Sequence, residues 1–293
     1  MKEIPANYII CPSCKNRVEK HYGYYICKKC GSSFPVYDKI PMLLTKCSKT
    51  KEKIYSRVWT EDSWELLLDR GPAINDFKES ILPKFKKYLR GKVLEVGAGI
   101  CWASALVKLE NPNCKVFASD ISLDRLKKGI KTCNFFGAKI DYFVVCDIEN
   151  LPFNNNFFDC VLGLSVLNYI SDLRNGIKEI ERVLKPRGIF IGKARMWSNI
   201  TQSLYRKFLH LKYLKEKFGF SINSYSLNFW RKIFLQNGFK NISIMICKNP
   251  RYHSPTSRNF TQKHFLYYTI IQNFPDWLIR NFLGSEIHIF AQK

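Results

Sequence analysis

Two hydrophobic periods interleave between Lys92 and Lys193. Short apolar, β-branched runs at Lys92–Val96, Lys115–Ser119, Ile140–Val145, Phe157–Gly163 and Gly188–Lys193 are bounded by turn residues. Runs of that length and composition predict strands. Between them lie longer stretches with helical spacing, at Cys101–Glu110, Ser122–Asn134 and Asp172–Leu184. Ser122 suits an N-cap, and Ile177, Ile180 and Leu184 fall on one helical face. Strands alternating with helices at this spacing predict an α/β domain, a parallel sheet covered by helices on both faces. Further on, residues 226–237 read as a helix ending at Gly238, with Phe239–Cys247 and Glu286–Ala291 as strands.

Ligands of such sheets bind beyond the C-terminal strand ends, where the strand order reverses. The first strand there runs into Gly97-Ala-Gly99, whose missing Cβ atoms let a ligand approach the backbone. Asp120 ends the second strand, placed to accept hydrogen bonds from ribose hydroxyls. Asp147 ends the third, within reach of an adenine amino group, with Ile148 beside the base. Three strand ends thus predict one adenosine pocket. A dinucleotide site wants a third glycine where Trp102 stands, and the indole argues against NAD and FAD.

VLEVGAG, ASDIS, CDIENLPFNNNFFDCVLGLSVLNYI and IERVLKPRGIFI follow one another in that order. In these segments, from about residue 90 to 193, the chain resembles the class I S-adenosylmethionine-dependent methyltransferases, closest to the ubiquinone/menaquinone-type group. The resemblance implies a Rossmann-like, seven-stranded doubly wound sheet with S-adenosylmethionine as cofactor. It assigns Glu95, Gly97 and Gly99 to the methionine end, Asp120 to the ribose, Asp147 and Ile148 to the adenine, and Leu164 and Ser165 to the sulfonium side. Ile121 completes the cofactor-binding set. Two positions depart from the family pattern. Cys101 stands where the family commonly has glycine, so the first loop is expected to be tighter or shifted. Asn168-Tyr169 replaces a frequent histidine pair and removes a histidine base there. Candidate catalytic residues at the mouth are therefore Tyr169 and Asn168. His210 reads as a solvated helix residue that only a closing lid would bring in.

At the N-terminus, Cys11-Pro-Ser-Cys14 and Cys27-Lys-Lys-Cys30 form two C-x2-C pairs. Two such turns facing each other supply a four-thiolate, coordinatively closed zinc site that holds structure rather than activating water. With the following FPVYDKIPMLL, this segment resembles the small zinc ribbon similar to the activator subunit of certain tRNA methyltransferases. His21 reads as a surface residue, and the other seven cysteines as small core fillers. The expected organisation is a zinc ribbon over 1–45, a linker and cover helices over 46–90, and the methyltransferase domain over 91–293. Residues 46–60, rich in lysine, read as linker; Tyr55, Trp59, Trp64 and Glu61–Asp69 read as a cover over the methionine end. A lid is expected at 195–225 and a basic, aromatic insertion at 248–285.

Composition adds less than position. The chain has 293 residues, 46% hydrophobic, and a net charge of +23, which excludes disorder as its main state. Residues 51–184 hold 20 basic and 18 acidic side chains, whereas residues 185–293 hold 18 and 3. Charge therefore bears on the acceptor or a docking surface, not on the cofactor. Lacking an export-type leader and any apolar run of spanning length, the chain is expected to be cytoplasmic. The expected acceptor is a small molecule, lipid-linked or glycan-linked, with peripheral contact to an anionic membrane. The alternative is a zinc-ribbon RNA (rRNA) methyltransferase whose ribbon and basic third grip the phosphate backbone.

Overall fold

A computed structural model describes residues 2–58, 71–196, 225–247, 275 and 285–293. Trp59, Trp64, Glu61–Asp69, His210, nearly all of the expected lid and, save Pro275 and Ser285, the 248–285 insertion lie outside these residues.

Within them the chain builds strands β1 (Glu19–His21), β2 (Tyr24–Ile26), β3 (Ser33–Tyr37), β4 (Ile40–Leu43), β5 (Lys92–Val96), β6 (Lys115–Asp120), β7 (Tyr142–Cys146), β8 (Phe158–Leu164), β9 (Leu184–Met196), β10 (Lys240–Cys247) and β11 (Ser285–Gln292). The helices that matter for the site are α1 (Lys46–Val58), α2 (Gly71–Asp76), α3 (Leu82–Phe85), α4 (Trp102–Glu110), α5 (Leu123–Phe135), α6 (Leu173–Val183) and α7 (Leu227–Gln236).

The predicted strands and helices are present, with ends moved by a few residues. The main sheet runs β7-β6-β5-β8-β9-β11-β10, parallel from β7 to β9 and antiparallel through β11 and β10. From β5 the chain winds first towards β6 and β7, then restarts on the other side at β8. The reversal opens a crevice between the C-terminal ends of β5 and β8. Alternation along β5 sends Leu94 and Val96 into one core layer, with Phe117, Phe158 and Phe190, and Val93 into the other, with Val116, Ala118 and Cys160. Burying both faces requires the near-continuous apolar runs seen in the sequence.

Two expectations change. The ribbon is continuous with the sheet: β4 pairs in parallel with β7, Met42 beside Val145 and Leu43 beside Cys146. Ribbon residues Ile9, Cys11, Tyr25 and Phe34 share the core layer of Phe117 and Phe153, and Tyr8 packs on Phe157 at 5.0 Å. The lysine-rich stretch read as linker is largely the helix α1. Thr45 caps it, its Oγ1 accepting from the Ser48 amide at 3.1 Å, so a polar run that looks solvated carries a helix with one face on the protein. Six of the seven remaining cysteines are buried, as expected of core fillers; Cys47, on α1, is exposed. His21 is exposed and stacks on Tyr24.

Candidate functional site

The glycine-rich loop is built by backbone that only small residues tolerate. Gly97 adopts φ +64°, and a Cβ there would lie 2.3 Å from Val166 Cγ2. Cys101 sits in the left-handed region at φ 58° immediately before α4. Its fully buried thiol fits because α5 presents Gly129, where a Cβ would approach Cys101 Sγ to 2.5 Å. Ala98 N–H donates to Ser119 O at 2.8 Å, fastening the loop to β6.

Glu95 is buried beneath this loop, its Oε2 accepting from the Ser104 amide at 2.8 Å and from the Ser104 hydroxyl. The carboxylate thus serves orphan donors at the start of α4. Burial nevertheless pushes its pKa up to about 7, against the opposing pull of those bonds. Asp120 Oδ2 accepts from Gly99 N–H at 2.8 Å and Oδ1 from Ser122 N–H at 2.9 Å. Each oxygen keeps a second lone pair for a hydroxyl of the ligand. Asp147 Oδ1 accepts from Glu149 N–H at 3.0 Å.

Gly97, Gly99, Asp120, Ile121, Asp147, Ile148, Leu164 and Ser165 all line one cavity, with Glu95 at its floor. Every residue assigned to the cofactor from the sequence is brought together. Asn168 and Tyr169 border the same cavity but are used differently. The buried Asn168 clasps β9, its Oδ1 accepting from Arg195 N–H at 2.8 Å and its Nδ2 donating to Arg195 O at 3.3 Å. That geometry shapes the mouth and commits both ends of the amide to backbone. Tyr169 offers its carbonyl to Tyr55 Oη at 2.7 Å.

Sequence reading missed the contribution of α1. Ser48 Oγ donates to Asp147 Oδ2 at 2.8 Å, and Lys51 Nζ stands 3.2 Å from that oxygen and 2.7 Å from Glu149 Oε2. Ser56 Oγ meets Ser122 Oγ at 3.1 Å. Burial holds the Tyr55 phenol well above its ordinary pKa, so it remains a donor. Helix α1 therefore closes the adenine side, and the T-x-x-S step at Thr45 was the available signal. Arg125 lies over Gly99, and Trp102, the residue that argued against a dinucleotide, packs edge-on to Phe77 at 5.7 Å.

A second missed group lies at the far end of the cavity. Lys193 Nζ donates to Asp76 Oδ2, His288 Nε2 lies 3.0 Å from the same oxygen, and the Cys247 thiol is 3.7 Å from Asp76 Oδ1. All four residues are buried. Glu286 borders the cavity beside them.

In the ribbon, the two cysteine turns share one backbone signature. Lys15 N–H donates to Cys11 O and Cys11 N–H to Asn16 O; Gly31 N–H donates to Cys27 O and Cys27 N–H to Ser32 O. Lys15 at φ 58° and Gly31 at φ 71° fill the same left-handed position. The turns face each other with Cys11 Sγ 3.6 Å from Cys30 Sγ and Cys14 Sγ 3.5 Å from Cys27 Sγ. All four sulfurs lie within 4.8 Å of one another. A tetrahedron with Zn–S bonds of about 2.3 Å has edges of roughly 3.8 Å, whereas a disulfide needs about 2.05 Å. The donor set fits zinc.

Comparison with known proteins agrees with this geometry. Residues 94–192 match the family model described as a methyltransferase domain. The chain is 35% identical over 98 residues to the ubiquinone/menaquinone biosynthesis C-methyltransferase UbiE of Desulfotalea psychrophila, covering 33% of this chain and 39% of that protein. It is 31% identical over 128 residues to the mitochondrial arginine-hydroxylase NDUFAF5 of Rattus norvegicus, covering 44% and 35%. The chain thus spans well under half the length of these relatives. Among solved structures, phosphoethanolamine N-methyltransferase 2 of Haemonchus contortus with S-adenosyl-L-methionine superposes with a TM-score of 0.54 at 16% identity, covering 83% of this chain and 59% of that one. Geranyl diphosphate C-methyltransferase of Streptomyces coelicolor superposes with 0.52 at 16%, covering 70% and 71%. The fold is the class I methyltransferase fold that these structures share.

Proposed function

We propose that the chain is an S-adenosylmethionine-dependent methyltransferase acting on a small-molecule, lipid-linked or glycan-linked acceptor, with a structural zinc in its N-terminal ribbon. The observation that carries the reading is convergence: the ends of β5, β6 and β7 deliver Gly97 and Gly99, Asp120, and Asp147 with Ile148 to one cavity. When bound, S-adenosylmethionine supplies an already activated methyl group on a sulfonium. What remains for the protein is placement and exclusion of water, with near-attack separations of about 3 to 3.5 Å.

Each residue has a part in that placement. Asp120, itself fixed by Gly99 and Ser122 amides, orients the ribose hydroxyls. Asp147 and Ile148 take the adenine edge and face, with Ser48 and Lys51 sharing the carboxylate from above. Glu95 holds the start of α4 and so the loop that receives the methionine end. Tyr55, bonded to Tyr169, roofs the cavity. Cys11, Cys14, Cys27 and Cys30 would hold zinc in a closed shell, which supports folding and leaves no open position for chemistry.

Calorimetric titration with S-adenosylhomocysteine tests the reading: saturable binding is expected, and a chain that binds neither it nor S-adenosylmethionine is not this enzyme. The relatives are named for chemistry as different as C-methylation and arginine hydroxylation, so the acceptor rests on the excess positive charge of residues 185–293. That charge suits a phosphate-bearing or interfacial acceptor. Binding to bulk RNA that collapses between low and moderate salt, with liposomes ignored, is the outcome that would favour RNA instead.

A further inference from the structure

Residues 185–293 hold three acidic side chains among 18 basic ones, Glu216, Asp276 and Glu286. In so basic a segment, a carboxylate turned inward is unusual. Glu286 is 14% exposed at its side chain and borders the cofactor cavity, and its buried Oε2 is met by Lys193 Nζ at 3.2 Å. The same Lys193 ammonium also donates to Asp76.

Topology places this carboxylate on the acceptor side. β11 runs antiparallel to β9, with Glu286 opposite Arg195. Its first residues therefore lie at the end of the sheet where β8 delivers Leu164 and Ser165, away from the adenine side at β7. The groups facing Glu286 are Lys193 and Arg195 on β9, Asp76 on α2, Cys247 opposite it on β10, and His288 two residues along β11.

Asp76, Cys247 and His288 also satisfy the spacing of a metal site. The Lys193 ammonium, already bound to the same Asp76 oxygen, fills the position a cation would take. The cluster is better understood as a support. Asp76 anchors Lys193 and His288, and Lys193 in turn keeps Glu286 near the cavity.

We infer that Glu286 is the acceptor-side base: its carboxylate, bordering the cavity, takes the proton of a hydroxyl or amine nucleophile as that nucleophile receives the methyl group. The inference rests on the methyltransferase reading above. In the step, a lone pair of the acceptor oxygen or nitrogen forms the bond to the methyl carbon. The carbon–sulfur bond breaks with its electron pair going to sulfur, which leaves a neutral thioether. The acceptor's proton passes to Glu286 and then to solvent. A carboxylate oxygen with a spare lone pair also orients an O–H or N–H before attack, whereas a C–H donor holds it weakly. Burial raises the Glu286 carboxyl while Lys193 opposes the rise, and a raised carboxyl takes up a proton more readily than a free one.

The full-length protein is tested with S-adenosylmethionine carrying a 13C methyl, incubated with a metabolite and lipid extract, and the labelled product is read by NMR. The expected product carries the methyl on oxygen or nitrogen. Glu286→Gln lowers its formation by about 100-fold or more, within the usual range for a lost general base. Its S-adenosylhomocysteine affinity stays within about threefold of wild type, and Glu286→Asp restores part of the rate with a displaced pH profile. A C- or S-methylated product, or Glu286→Gln turning over like wild type, overturns the inference. Wild type that binds no S-adenosylhomocysteine instead overturns the methyltransferase reading, so the two failures are distinct. An acceptor-free arm uses dicyclohexylcarbodiimide, which attacks carboxyls in apolar cavities. An adduct on Glu286 in the peptide mass map is expected, and modification confined to exposed carboxylates overturns its access to the cavity.

Discussion

Single side chains in this molecule carry opposing demands, and Glu95 shows it most plainly. Its folded pKa of about 7 lies above the ordinary value of 4.5, so the native state holds the proton more tightly than the unfolded chain does. The associated stability is complete below pH 4.5 and is lost as pH rises through 7, amounting to about 3 kcal/mol at 1.36 kcal/mol per unit. Denaturant titrations between pH 5 and 8 are expected to show this fall, and Glu95→Gln to flatten it. Asp120 contributes through geometry, because its two hydrogen bonds from the Gly99 and Ser122 amides hold the loop in its binding shape. Asp120→Ala is expected to cost about 2 to 4 kcal/mol of S-adenosylhomocysteine affinity, roughly 30- to 1,000-fold, with the far-ultraviolet circular dichroism unchanged. Retained affinity would show that the ribose is held elsewhere.

At the scale of elements, the helices carry information that the strands do not. The run from β5 to β9 was legible because each buried strand is a short apolar run ending in a residue with a chemical task. Cys101 was legible only as a departure; its accommodation depends on Gly129, a residue 28 positions later on a different helix. Gly129→Ala is expected to destabilise by about 1 to 3 kcal/mol through overpacking against Cys101. In a Cys101→Gly background the same change is expected to be close to neutral, since the thiol it strikes is gone. The double-mutant cycle, measured by urea unfolding, returns the coupling directly; additive effects would place the contact elsewhere. Helix α1 escaped the sequence reading for another reason. Its lysines suggest solvent, yet Lys51 is 25% exposed and held by two carboxylates. The Asp76 cluster was beyond sequence reasoning altogether, because Asp76 stands 117 residues from Lys193 and 212 from His288.

For the molecule as a whole, the question is whether the ribbon is an appendage or part of the foundation of the main sheet. Backbone pairing of β4 with β7 extends the sheet from the edge nearest the adenine side. Ile10 N–H donates to Pro152 O, and Lys15 reaches the buried Glu179 of α6 at 2.8 Å, where Arg182 also binds it. Those contacts hold Glu179 below its ordinary pKa despite its burial. Since Lys15 belongs to the first cysteine turn, releasing zinc would loosen the same backbone that positions this ammonium. It would also disturb the core shared by Cys11, Tyr25, Phe117 and Phe153. Removing the proposed zinc with a chelator is therefore expected to destabilise the entire described fold rather than unfold the ribbon alone. A loss of about 3 kcal/mol, modest for a structural zinc site, lowers the melting temperature by roughly 6 to 12 °C. The calorimetric trace should keep one cooperative transition, with S-adenosylhomocysteine affinity declining alongside, because Leu43 lies beside Cys146, one residue before Asp147. Two resolved transitions, with the upper one unmoved and S-adenosylhomocysteine affinity intact, would show instead that the ribbon folds and fails independently of the rest of the sheet.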